Sequence, residues 1–412
     1  MENETLHDRE ILRELAERKL KLSHSKRNDE ILDMWNKQAK GVRDTPTVRL
    51  LFSNFKGEVI ESRLRCEGND ARKLERQLLS SMVGRELFND DTPVSDTNDV
   101  NLFAGASPFG TRPRSVRAKN SIGFHIEPLT DDIEADFELF CNGSFNVDEK
   151  GTREWCEWAD SIIGDILPSK ICLSSLTGAI TNPLVNLIGM ENYYVAMYDS
   201  PDTLHKIMDM ATRVYENYYD HLEEKKLLLP TNNYAKVAQE SFAFTDELPS
   251  EGPITSTKQL WGFLESQETT AVSPEMYGEF VYPYQDRLVK RYGLLSYGCC
   301  ERVDAIFVDY LSKWKNLRKL SVSPFNNEMQ VGEYLRGTRI VYYSKPRAEY
   351  VTNPGPLDED AILKYFKGVC EAASGCLLEV AQREVGTIFG DFERGKRYVE
   401  LAKESIDKYW KP

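Results

Sequence analysis

The stretch Leu294-Leu295-Ser296-Tyr297-Gly298-Cys299-Cys300-Glu301 decides the fold. A short apolar run ends in a glycine, two adjacent thiols and a carboxylate. One helix-patterned segment ends before it at Arg291-Tyr292-Gly293, and another begins near Asp304. A buried strand that stops in soft and charged side chains, between two helices, has the layout of an active-site strand in a (β/α)8 barrel. Thiolates bind metals or attack electrophiles, and Glu301 offers a ligand or a base. Taken alone, the stretch also fits a plain strand whose loop holds two cysteines, or a strained vicinal redox disulfide.

Working outward, apolar strand-like runs at 170–175, 234–240, 320–323, 339–343 and 376–380 alternate with helical patterns. Strands separated by single helices pair in parallel through right-handed crossovers. Upstream, 47–52 and 122–126 read as strands and 70–83 as a helix. Residues 89–120 read as a long loop whose Arg112, Arg114 and Arg117 could contact an anion. The segment 273–292 reads as one helix opened by Ser273-Pro274. The expected fold is a single (β/α)8 TIM barrel over 46–412 with an N-terminal helical extension over 1–45. No nucleotide-binding glycine pattern favours an open doubly wound sheet.

Composition narrows the function classes. The 412 residues carry a formal net charge of -14, which disfavours a general nucleic-acid binder. No run of about 18 apolar residues suggests a membrane span. The eight cysteines are scattered, and the start of the chain lacks the pattern of a secretory signal. Reduced thiols in a cytoplasmic protein are expected. Histidine is scarce, five in all, so a metal site would lean on cysteine and carboxylates.

Barrel chemistry sits at the C-terminal ends of strands. Those ends offer His125, Gln239, Glu240, Gln267, Glu268, Cys299, Cys300, Glu301, Lys345 and Glu379. Carboxylates converging at one mouth repel one another, and a bound cation or shared protons would relieve them. Cys299, Cys300, Glu268 and Glu379 are the expected metal ligands. His125, Gln239 and Gln267 are the expected substrate contacts.

Three segments carry a family resemblance: 184–201, ending Ala196-Met197-Tyr198-Asp199-Ser200-Pro201; 272–284, with Ser273-Pro274-Glu275 and Phe280-Val281-Tyr282-Pro283-Tyr284; and 294–301. Over roughly 165–410 the chain resembles the uroporphyrinogen decarboxylase superfamily. That superfamily is built on a (β/α)8 barrel. It contains true decarboxylases and zinc-dependent methyltransferases that exchange a methyl group between a corrinoid protein and a thiol. The decarboxylases' Arg-Gln-Ala-Gly-Arg-Tyr motif is absent here. The methyltransferases' His-x-Cys-Gly becomes Tyr297-Gly298-Cys299-Cys300, so only Cys299 is carried over as a ligand.

The resemblance implies a methyltransferase-like enzyme. Zn²⁺ on Cys299 and carboxylates would lower the pKa of a substrate thiol. A corrinoid protein or a small methylated molecule would be the partner. Cys299, Glu301, Glu240 and Tyr297 are the expected catalytic group, and a homodimer is one expected assembly. Two other readings stand beside it. One is a metal-independent decarboxylase or lyase using Arg112, Arg114 or Arg117, which an acidic mouth disfavours. The other is a non-catalytic binding barrel.

Overall fold

The computed structural model describes residues 5–111, 113–117, 124–237 and 239–412, and at 114–117, 124 and 125 the backbone alone. Two helices open it, α1 (Leu6–Ser23) and α2 (Lys26–Ala39). Thr5 and Ser25 cap them, each side chain accepting a backbone N–H three residues on. The buried stripe Leu12, Leu15 and Ala16 sets α1 against the body. α2 contributes Trp35, whose ring lies 5.4 Å from Phe242 and 5.8 Å from Phe244. Gln38 of α2 donates to the carbonyl of Leu378 at 2.8 Å. α2 therefore covers the N-terminal end of the central sheet.

The strands that matter for the site are β1 (Thr47–Leu50), β2 (Asn98–Asn101), β3 (Ser169–Cys172), β4 (Leu176–Thr177), β5 (Lys236–Val237), β6 (Ser241–Phe242), β7 (Trp261–Leu264), β8 (Leu294–Tyr297), β9 (Leu317–Val322), β10 (Val341–Ser344) and β11 (Leu377–Gln382). Seven of them form one parallel sheet in the order β1-β11-β10-β9-β8-β7-β4. β2 and β3 form a separate parallel pair. The strand run expected at 170–175 divides, its first part pairing with β2 and its continuation, β4, joining the main sheet.

The sheet differs from the closed eight-stranded barrel expected from the sequence: its edges, β1 and β4, do not pair with each other. Side chains occupy the free edge of β1. Asp91 Oδ2 accepts the N–H of Val48, Asp90 Oδ2 accepts that of Leu50, and Asp91 N–H donates to the Val48 carbonyl. Two carboxylates satisfy backbone groups that a neighbouring strand would otherwise pair.

Other local expectations shift as well. The strand run expected at 234–240 supplies only Lys236–Val237, which pairs antiparallel with Ser241–Phe242 as the hairpin β5–β6 against one face of the sheet. The expected loop 89–120 contains β2 and the strand Phe103–Ser107, which pairs with Ser144–Asp148. Of the expected barrel strand 122–126, residues 122 and 123 lie outside the described residues, and Phe124–Glu127 pairs antiparallel with Arg114–Arg117, apart from the seven-stranded sheet. The helix expected over 273–292 is two, Pro274–Phe280 and Tyr282–Val289, with Pro283 at the start of the second. A proline there lacks the N–H that would continue the first helix. Among the described residues, no helix is long and apolar enough to cross a membrane.

Candidate active site

The pleat fixes which side chains face the inside. Partners across the sheet put Thr47, Glu379 and Tyr343 on one face, with Lys319, Ser321, Arg49 and Ala381 following the same alternation. The β5–β6 hairpin packs here. Ser241 Oγ donates to Glu379 Oε2 at 2.8 Å, and Tyr343 Oη donates to the Gln239 carbonyl at 2.7 Å.

Three strand ends and the hairpin tip build the site. After β8 the chain turns at Gly298, whose φ of +100° is the left-handed region that glycine enters without strain. A Cβ there would stand 3.0 Å from that of Ser321. The turn delivers the two thiols side by side, with Cys299 Sγ 3.6 Å from Cys300 Sγ. Cys299 is buried and Cys300 is half-buried. From the end of β10, Lys345 donates to the Cys299 carbonyl at 3.1 Å and to Gln239 Oε1 at 3.0 Å. Gln239 and Glu240 form the hairpin tip with φ of 60° and 65°, a conformation that costs a side-chain-bearing residue energy.

Glu301 is a clamp between strand ends. Its Oε1 accepts the N–H of Ser266 at 2.8 Å, and its Oε2 accepts that of Cys299 at 2.5 Å. It ties the segment after β7 to the thiol turn. Burial pushes its carboxyl up, and these N–H donors pull it part of the way back. Glu265, directly after β7, is also buried, with one oxygen accepting the N–H of Gln267 at 3.0 Å. Burial first, then the charges of Glu268 and Glu301, hold it well above the ordinary carboxylate range. Glu265 is thus biased toward its protonated form at the edge of the thiol turn.

The two thiols differ. Cys300 is held below the ordinary thiol value, first by its hydrogen bond with Cys299 and then because Lys345 lies close; burial opposes both. Cys299 is pushed up by the same hydrogen bond and by burial. Cys300 is therefore the more acidic thiol of the pair. Burial pushes the Lys345 ammonium down, and the thiols and Glu301 restore part of it.

Cys299, Cys300, Glu301 and Gln239 thus meet, but the rest of the expected set does not join them. Tyr297 was expected to be catalytic. The strand alternation turns it toward the helix layer, where its hydroxyl pairs with Ser266 Oγ at 2.8 Å and Tyr277 Oη at 3.1 Å. Glu379 was expected as a ligand. It lies mid-strand, because β11 runs to Gln382 rather than ending near 380, and it is ion-paired to Lys319 at 2.9 Å. Glu268 spends both oxygens on Thr181 Oγ1 and Asn182 Nδ2, each at 2.8 Å. The expected four-ligand metal set is therefore not assembled, and no group of three or more His, Cys, Asp or Glu among the described residues is placed to hold a metal ion.

The Gln267 side chain makes no hydrogen bond among the described residues, and its N–H is used by Glu265. Glu240 points into a separate cavity. The side chains of His125, Arg114 and Arg117, and Arg112 altogether, lie outside the described residues.

Glu265 was not anticipated as a site residue. The signal was present: Trp261-Gly262-Phe263-Leu264 is an apolar run of strand length, and Glu265 is the first residue past it.

No protein-family model matches the sequence, and no curated protein matches it. A solved structure, a methyltransferase from Methanosarcina mazei, matches 91% of this chain and 98% of its own, with a TM-score of 0.52 and 13% sequence identity. The likeness is one of fold. It extends over nearly the whole of both chains, so the sheet and its surrounding helices are shared rather than one local motif.

Proposed function

We propose that this chain is a methyltransferase-like enzyme in which the Cys300 thiolate accepts a methyl group. One observation carries the proposal: two adjacent thiols and a buried lysine meet at the end of β8. The fold likeness to a methyltransferase supports it. The Cys300 sulfur attacks the methyl carbon of an electrophilic donor. The new S–CH3 bond takes the sulfur's electron pair, and the bond to the leaving group breaks with its own pair. Cys299 and Lys345 keep Cys300 ionised, and an ionised thiol is the attacking form. Glu301 fixes the turn, and Glu265 offers a proton to a basic leaving group. The donor is a small methylated molecule or a methylated corrinoid on a partner protein.

The zinc site implied by the superfamily resemblance does not fit these residues, since Glu379 and Glu268 are already bonded elsewhere, and no step is drawn through it. We read the β2–β3 pair together with the seven-stranded sheet as one (β/α)8 ring with a gap beside β1. A cytoplasmic setting and a homodimer belong to the same proposal.

The test is methylation of the intact protein with methylcobalamin or methyl iodide at neutral pH, followed by peptide mass spectrometry. Cys300 is expected to gain the methyl group before the other cysteines, and Cys300→Ser to lose that preference. Equal labelling of all accessible thiols would overturn the proposal.

A further inference from the structure

Apart from the thiol turn, a cavity of about 750 Å³ opens in the gap between β1 and the β2–β3 pair. Arg49, Asp99, Lys170, Lys236, Glu240 and Phe242 are among the residues that line it. None of Cys299, Cys300 or Lys345 does, so it is a distinct space that shares the hairpin as a wall.

The charged groups in this wall are unequally satisfied. Asp99 accepts hydroxyls from Ser95 at 2.6 Å and Thr97 at 2.8 Å. Lys19 donates to the Thr97 carbonyl at 2.6 Å. Arg49 donates through Nε to Thr92 Oγ1 and through one amino group to the Glu240 carbonyl at 2.6 Å. Its second amino group makes no hydrogen bond among the described residues. Lys236 has neither a hydrogen bond nor an ion pair among them; its Nζ sits 3.5 Å from the centroid of the Phe242 ring. Arg49 lies over the same ring at 4.5 Å. Lys236 is half-buried, so an amine without a protein partner here is open to one supplied from the cavity. Burial, then Arg49, pushes this amine well below its ordinary range, while Glu240, Asp90 and Glu379 act the other way. Those last two are engaged elsewhere, Asp90 with the N–H groups of Leu50 and Thr92 and Glu379 with Lys319.

We propose that the cavity binds a small organic carboxylate, its anionic end taken by Lys236 Nζ and the second amino group of Arg49, its apolar body against Phe242 and Phe52. The free amino group of Arg49 and the Lys236 amine each offer one charge-assisted hydrogen bond to a carboxylate, and the aromatic wall suits the rest of such a molecule. An arriving anion favours the ammonium, so binding is expected to come with proton uptake at Lys236. Arg49 of β1, Asp90, Glu240 of the hairpin and Glu379 of β11 are the charges facing that proton. The inference uses neither thiol and stands or falls apart from the methyl-transfer reading.

The test is calorimetric titration of the full chain with sodium benzoate and sodium succinate at neutral pH, in two buffers of different ionisation enthalpy. Saturable binding of at least one, with proton uptake, is expected. Lys236→Met should weaken it by about tenfold or more and abolish the uptake. Should that variant fail to fold, reductive methylation of the wild type and NMR of the labelled lysines give the same information, because the Lys236 resonance must move to its protonated position on binding. Absence of saturable binding by both anions, binding without proton uptake, an unmoved Lys236 resonance, or equal affinity in a folded Lys236→Met would each overturn the inference.

Discussion

Lys345 Nζ donates to the carbonyl of Cys299 at 3.1 Å, which sets a buried cation against the thiol pair. The lysine comes from β10 and the thiols from β8, so the contact exists only because β9 lies between them in a parallel sheet. Removing the charge should make Cys300 a weaker acid. Lys345→Met is expected to move the pH profile of Cys300 alkylation upward by about one pH unit. Iodoacetamide kinetics read by peptide mass spectrometry would check it, and an unmoved profile would deny Lys345 its role.

Cys299 and Cys300 share a hydrogen bond at 3.6 Å between sulfurs, and the lowered Cys300 thiol points to Cys299 as its donor. Cys299→Ala removes the donor and Cys299→Ser keeps one. The alanine variant should shift the same alkylation profile upward, and the serine variant should shift it less. If the two variants behave alike, the donor account fails and only the environment of Cys300 matters.

Glu265 gives a stability prediction with a definite sign. Its folded-state pKa is raised, chiefly by burial, so the folded chain holds a proton that the unfolded chain releases above about pH 4.3. Over that window the folded state binds more protons, and stability falls as pH rises. Glu265→Gln removes the dependence. Relative to wild type it should gain stability from about pH 4.3 upward, by at most about 1.4 kcal/mol per pH unit, until the folded carboxyl ionises. Urea denaturation across pH measures this. A difference that is flat with pH would contradict it.

The Lys319–Glu379 pair is wholly buried, with the lysine also donating to Ser241 Oγ and the Phe242 carbonyl. Breaking such a pair leaves an uncompensated charge, so Lys319→Met alone should cost about 3–5 kcal/mol. Adding Glu379→Leu should recover much of that loss. Chemical denaturation of both variants tests the pair. Elemental analysis of Glu379→Gln tests the sequence-based ligand role, because a carboxylate held by Lys319 should leave metal content unchanged.

Much of this arrangement was legible in the sequence. The alternation of apolar runs and helical patterns gives parallel strands, and the Cys-Cys-Glu after Leu294–Tyr297 gives the strand end that carries the thiols. Glu379 was misplaced for a specific reason. Its strand continues two residues past where the apolar run was read as ending, and mid-strand and strand-end carboxylates look alike in one dimension. Tyr297 faces the helix layer rather than the thiol turn, which a motif does not reveal because it aligns residue types without saying which face of the pleat each occupies. A shift of one residue exchanges those faces.

Residue order alone points to a parallel α/β protein with a thiol pair at a strand end. The tertiary structure alone decided what those thiols meet. Lys345, Gln239 and Glu265 reach the turn from three separate segments, and sheet order brought them together rather than sequence distance. It also decided that Asp90 and Asp91, rather than another strand, occupy the edge of β1, which leaves the gap in which Lys236 faces a cavity. Hydrogen-bond pairing between strands is a long-range choice. It depends on which backbone groups find partners once the chain is packed, and local pattern carries no record of it.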